Sequence, residues 1–501
     1  MAESKRHILL PREGFLHEAL RHLAPVGESE MPHAPFTVKS TLAGGREVLV
    51  IDSIEADGPK LVECDDLAAA EIDRHPDVLR LPVLKYRRPL GLRASYPLLA
   101  PDPVSLPTTR GPGVTIRVME TKGGNKVPAD SGLWVTAFSN YEKKIGDYTT
   151  TDDSGEANLL VSGTIERLFC EKLWTWGAFR KDFRVHPTTD LELEPLSANF
   201  TDCVRKYYPQ SRFKPETGVT VGVIDTGVGP HDDLNVIGGR CTVEKEPPND
   251  HQDADRHGTF VAGLIGSTGR LFPKLRGLAP GVRIFSYRVF GEGESEVQIF
   301  PLIQAMHYAA LDECDILNLS IESPEQGPGL NHVLLQRAII RARDKGMLVV
   351  VAAGNDNRTS VDYPAAFPNV IAVSAMGCKG TFPKGAMENM VVSDDPPGTD
   401  PNEFIASFSN VGEEINVTAL GVGVLSTLPG NSFGSCSGTS FAAPVVTGAA
   451  ASLLSQRPDI YIKSRNRARA EEIEQLLFKN SITRGFPPTF EGHGMPDPAK
   501  V

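Results

Sequence analysis

The sequence predicts an α/β protein, with a doubly wound, mostly parallel sheet preceded by a ferredoxin-like α+β unit and a small β-sandwich. Three observations carry this. From about Lys214, continuous apolar runs alternate with stretches of helical spacing. Residues 113–200 hold short alternating strands separated by turn signals, and residues 5–88 read β-α-β-β-α-β. A length of 501 residues fits about three domains at ~150 residues each.

In the first unit, His7–Leu10, Val48–Ile54, Lys60–Glu63 and Val78–Leu84 are predicted strands. Phe15–Leu23 and Asp66–His75 are predicted helices, the second capped by Asp65 or Asp66. Residues 89–112 carry six prolines and read as an extended linker. In 113–200, Val114–Val118, Leu133–Phe138 and Ala157–Val161 alternate as half-buried strands do. Lys122-Gly123-Gly124-Asn125 and Asp152-Asp153-Ser154-Gly155 mark turns, and Trp174 and Trp176 are expected in the core. In 201–501, Val219–Ile224 and Leu348–Ala353 read as buried parallel strands, and Ile299–Leu311 and His332–Lys345 as helices.

Composition sets outer bounds. An apolar share of 40% and a charged share of 23% exclude a mostly disordered or fibrous chain. The net charge of −12 argues against a nucleic-acid partner. The seven cysteines are scattered without a CxxC pair, a poor framework for disulfides or zinc. With only Ile8-Leu9-Leu10 apolar near the start and no run of ~18 apolar residues, the expectation is a cytoplasmic protein without a membrane partner.

Three segments suggest chemistry. Val223-Ile224-Asp225-Thr226-Gly227 is a strand ending in a carboxylate. Asp255-Arg256-His257-Gly258-Thr259-Phe260-Val261-Ala262-Gly263 puts a histidine at the start of an apolar helix. Ser437-Gly438-Thr439-Ser440-Phe441-Ala442-Ala443-Pro444 puts a serine at the mouth of another. Singly, each has an ordinary explanation as a cap or a core residue. Together they supply what nucleophilic attack by serine needs: a base to take its proton and a buried acid to orient that base.

In these motifs, and in their order along the chain, residues 214–501 resemble the subtilisin-like (S8) serine proteases. The resemblance implies an acyl-enzyme endopeptidase in which Asp225 orients, His257 is general base and then acid, and Ser440 is the nucleophile. Val349–Asn355 matches the strand whose asparagine, here Asn355, donates to the oxyanion. Gly277–Pro280, Ile316–Ser320, Tyr363-Pro364 and Gly492–Asp497 match further family segments. Two departures are Phe260, where a second histidine is common, and Ala443, where serine is frequent. Asp233 matches one carboxylate of the family's calcium site, but Ser267–Leu275 lacks the Asn-rich loop; no metal or cofactor is expected.

The same resemblance assigns substrate-binding roles to Gly293, Ser320, Ile321, Glu322, Gly354 and Asp362. Asp362 falls where the S1 pocket floor is often lined, and Ser320 is followed by Ile321-Glu322-Ser323-Pro324-Glu325 where the family usually has a small residue and glycine. Glu292, Glu294 and Glu296 resemble the strand bordering S2 and S4. These carboxylates predict a preference for Arg or Lys at P1, weighed against a solvated acidic rim. Residues 1–88, particularly Ala68–Leu81, resemble an inhibitor I9-type propeptide, with Tyr86-Arg87-Arg88-Pro89 as a basic tail. The expectation is a protease restrained by its own N-terminal unit and acting on polypeptides. Alternatives are a dedicated processing or signalling protease activated by a partner at the sandwich, and a non-catalytic binding module.

Overall fold

A computed structural model describes residues 4–23, 38–42, 44–87, 113–122, 124–141, 143, 145–161, 163–170, 175–184, 186–323 and 332–500. The expected linker 89–112, Trp174 and the Pro324-Glu325 pair lie outside the described residues.

The largest sheet is ordered Val236–Cys241, Arg283–Arg288, Thr220–Asp225, Ile316–Leu319, Leu348–Ala352, Ile371–Cys378, each pair parallel. Ile415–Leu420 joins Ile371–Cys378 in parallel, and Glu403–Ile405 pairs with it antiparallel. Along Leu348–Ala352 the side chains alternate between two apolar clusters. Leu348, Val350 and Ala352 enter one cluster, Val349 and Val351 the other. Burial on both faces explains why the run shows no polar alternation. Helices His257–Gly266 and Thr439–Ser455 supply the first cluster, and Ile299–Leu311 and Val333–Asp344 the second. This doubly wound arrangement gathers the carboxyl ends of Thr220–Asp225, Ile316–Leu319 and Leu348–Ala352 at one edge, where such sheets bind ligands.

Ahead of it, residues 5–82 form an antiparallel sheet ordered Val38–Thr41, Glu47–Ser53, Lys60–Cys64, Lys5–Pro11, Val78–Pro82. Asp65 caps the helix Asp66–Ile72, accepting from the N–H groups of Leu67 and Ala68. The segment expected as a helix over Phe15–Leu23 is instead a 3-10 turn, Glu18–Leu23. Its buried Leu20 and Leu23, three apart, suit the i, i+3 eclipse of that tighter coil. Leu9, Val50 and Val62 face this turn and helix, whereas Ile8, Leu10 and Leu81 pack with Phe300, Leu302 and Leu335 of the large domain. Gln304 donates to Asp52, and Arg337 donates to the carbonyls of Pro11, Arg12 and Gly14.

Residues 114–195 form two sheets. One is ordered Ile145–Thr150, Trp134–Asn140, Thr164–Cys170, Ala178–Arg184; the other contains Glu156–Leu159, Val114–Lys122, Thr188–Pro195 and Thr175–Trp176. Val118, Ala137, Leu159, Leu168 and Leu191 lie in the cluster between them. Trp176, Phe138 and Phe169 instead enter the large domain's cluster beside Met387. Backbone bonds from Phe179 N–H to Gly385 O and from Met387 N–H to Gly177 O, both 2.7 Å, seal that contact.

Candidate active site

Asp225 closes the strand Thr220–Asp225, fully buried. Its Oδ1 accepts from the N–H of Thr226 and lies 2.7 Å from His257 Nδ1. His257 opens the helix His257–Gly266. The two elements touch because residue 258 is glycine: a Cβ there would lie 2.0 Å from Gly227 O. Asp253, which the sequence reading missed, anchors this corner. It accepts from the N–H groups of Asp255, Arg256 and Thr259 and from the hydroxyl of Thr226. The only signal for it was a carboxylate four residues before the histidine, within capping range of the helix start. Burial raises its carboxyl pKa.

His257 Nε2 is buried without a hydrogen-bond partner among the described residues. The imidazole lies 5.3 Å from the ring of Phe441, the residue after Ser440, and Phe260 packs edge-on to Phe441 at 4.8 Å. The phenylalanine in place of a second histidine therefore supports the ring behind the site. Ser440 is the second residue of Thr439–Ser455, at the helix end whose N–H dipoles favour negative charge. Its carbonyl accepts from Ser320 Oγ at 3.0 Å, and Ser320 in turn accepts from Asn318 Nδ2.

Asn355 follows the strand Leu348–Ala352. Its Oδ1 accepts from both the N–H and the hydroxyl of Thr439, each at 2.9 Å, which fixes the amide's orientation beside Ser440. Gly354, at φ +105°, leaves no room for a side chain: a Cβ would lie 2.2 Å from Asp362 Oδ2.

Asp362 accepts from Asn410 Nδ2 at 2.9 Å. Glu322, Asp356 and Asp362 bring carboxylate oxygens within 4.8 Å of one another. Burial raises Glu322 to about 7, although the Arg87 charge opposes it. Burial and then Asp356 raise Asp362 to about 8. Asp356, also missed in the sequence, was hidden because a residue after Asn355 carries no motif of its own.

The strand Lys85–Arg87 leaves the N-terminal unit and pairs antiparallel with Glu296–Gln298. On its other side Arg87 and Glu322 exchange backbone hydrogen bonds of 2.8 and 2.7 Å. Arg87 Nε also donates to Glu322 Oε1 at 2.7 Å, and Lys85 pairs with Glu296 at 2.8 Å. Ile321 is buried in the cluster that holds Tyr86. Of the acidic stretch expected as a bordering strand, only Glu296 is in the strand. Glu292 and Gly293 form a turn ahead of it, Gly293 at φ +73°.

The fold family brings a calcium site into question. Asp233 accepts from Thr268 Oγ1 and the N–H groups of Arg270 and Leu271. Surrounding N–H and O–H donors hold this carboxylate as an acceptor, a set that does not fit a cation.

The chain belongs to the subtilase family of serine endopeptidases, whose sequence profile matches residues 216–494. Subtilisin BL from Lederbergia lenta is 35% identical over 242 residues, covering 48% of this chain and 78% of that protein. Alkaline elastase YaB from Bacillus sp. (strain YaB) is 35% identical over 249 residues, 50% of this chain and 57% of its own. Subtilisin DY from Bacillus licheniformis is 34% identical over 255 residues, 50% of this chain and 81% of its own.

Proposed function

We propose that Asp225, His257 and Ser440 form the catalytic triad of this endopeptidase, with Asn355 as an oxyanion donor. The Asp225–His257 contact, with no partner for Nε2 among the described residues, carries this reading. Asp225 holds the tautomer in which Nδ1 bears the proton, so Nε2 takes the proton of Ser440 as the hydroxyl attacks the carbonyl. Asn355 Nδ2 stabilises the oxyanion, His257 protonates the leaving amine, and water then cleaves the acyl-enzyme. A fluorophosphonate probe tests it: Ser440 is labelled in the wild type, and labelling is lost in Ser440→Ala. Folded, strand-released protein that takes no label would refute the assignment.

The N-terminal unit acts as a restraint in cis. Its antiparallel strand order, β-strands flanking Asp66–Ile72, and the seat of Lys85–Arg87 between Glu296–Gln298 and Glu322 support this reading. A protein chain beginning at Lys214 that folds yet is no more active than the full chain would refute the restraint. The acidic cluster supports a preference for basic side chains in the unprimed cleft, Arg or Lys at P1 included. The seven cysteines, six of them buried, support a reducing, cytoplasmic setting. The seam of the proposed sandwich with residues 385–387 supports the reading that a protein partner acts on the enzyme through this unit.

A further inference from the structure

Two adjacent side chains of Lys85–Arg87 are recognised by groups of opposite chemistry. Tyr86 is fully buried, and its hydroxyl shares a 2.9 Å hydrogen bond with His332 Nδ1. His332 is itself buried, stacked on Tyr363 at 4.5 Å and edge-on to Phe367. Its ring is thus held by two members of the apolar surroundings of Tyr86, in the cluster that also holds Val297 and Ile321. The next residue, Arg87, donates from Nε to Glu322 Oε1 at 2.7 Å and from a terminal nitrogen to Asp356 Oδ1 at 3.3 Å. Glu322 Oε2 is buried beside them without a hydrogen-bond partner among the described residues, a further acceptor for a forked cation.

We infer that the cleft selects polypeptide substrates carrying tyrosine followed directly by arginine, at the two positions that Tyr86 and Arg87 hold here. His332 reads the phenol hydroxyl, and Glu322, Asp356 and Asp362 read the guanidinium. The inference rests on the proposed serine-protease reading and names its substrate class. An apolar pocket discriminates weakly between phenylalanine and tyrosine. A buried ring nitrogen that hydrogen-bonds the phenol adds to that discrimination, because phenylalanine gives up this bond. The same contacts hold the protein's own strand in the cleft, so a substrate must match them to displace it.

The test uses the full-length protein and fluorogenic peptides that differ only at these two positions: Tyr-Arg, Phe-Arg and Tyr-Gln. The Tyr-Arg peptide is expected to exceed Phe-Arg in kcat/KM about tenfold and Tyr-Gln by about a hundredfold. His332→Leu erases the first ratio and keeps the second, and Glu322→Gln shrinks the second and keeps the first. Equal values for Tyr-Arg and Phe-Arg in the wild type, or a ratio that survives His332→Leu, overturn the inference. A second readout needs no turnover. In the full chain, Tyr86→Phe labels with fluorophosphonate about fivefold faster than wild type, and an unchanged rate counts against the His332 contact. Failure of the protease reading looks different: no peptide is cleaved and Ser440 is unlabelled in every variant.

Discussion

The amide of Asn355 is held through its oxygen by both donors of Thr439, and the proposed oxyanion contact is made by its nitrogen. Asn355→Leu keeps the volume and removes the donor. It is expected to lower kcat by about 10²–10³ with little change in KM, a range set by measurements on subtilisin itself. Steady-state kinetics on one peptide checks it. Glu322 and Asp362 give a second expectation at this scale. Their folded pKa values, about 7 and about 8, stand above the ordinary carboxylate range near 4. The folded state therefore binds more protons than the unfolded, and stability falls as pH rises from about 4 through 8. Asp362→Asn keeps an oxygen for Asn410 and removes the ionisation. Its Tm should exceed that of the wild type by a few degrees above pH 8 and match it near pH 4, read by calorimetry.

At the scale of elements, three residues join the N-terminal unit to the cleft. The strand Lys85–Arg87 adds backbone bonds to two catalytic-domain segments and places cations against Glu296 and Glu322. Arg87→Glu keeps the backbone but sets a fourth carboxylate among three. Release of the strand is expected to raise the initial labelling rate of Ser440 about tenfold or more in the full chain. The sequence expects Tyr86-Arg87-Arg88-Pro89 as a basic tail, but the seat of Tyr86 and Arg87 is not legible there, since strand pairing between residues 87 and 322 leaves no trace in local pattern. The Phe15–Leu23 segment misled for a related reason. Its apolar spacing suits a helix, and only packing of Leu20 and Leu23 under the sheet selects the tighter turn.

Across the whole molecule, both accessory units dock through apolar faces on different sides of the large sheet. Ile8, Leu10 and Leu81 join one cluster, and Phe138, Phe169 and Trp176 the other. Trp176 is 1% exposed, and its neighbour Gly177 has Met387 Sδ where a Cβ would fall, 2.4 Å away. Trp176→Ala is expected to cost about 3–5 kcal/mol where the two sheets of residues 114–195 meet the large domain. Differential scanning calorimetry should show a lower transition for residues 114–195, and limited proteolysis should reach residues 175–184 sooner.

By itself, the sequence determined the doubly wound sheet and the identity of the candidate catalytic residues. Both are written in short contiguous patterns: apolar runs buried on two faces, and an acid, a base and a nucleophile in glycine-containing motifs, with Gly227 and Gly258 at close approaches a side chain would block. Only the tertiary structure decided what surrounds them. Asp253 under the histidine helix, Asp356 beside Glu322, and His332 against Tyr86 are ordinary residues until chain segments far apart in sequence meet. Local spacing encodes which face of an element is apolar, whereas a specificity pocket is assembled from loops whose neighbours are set by packing alone.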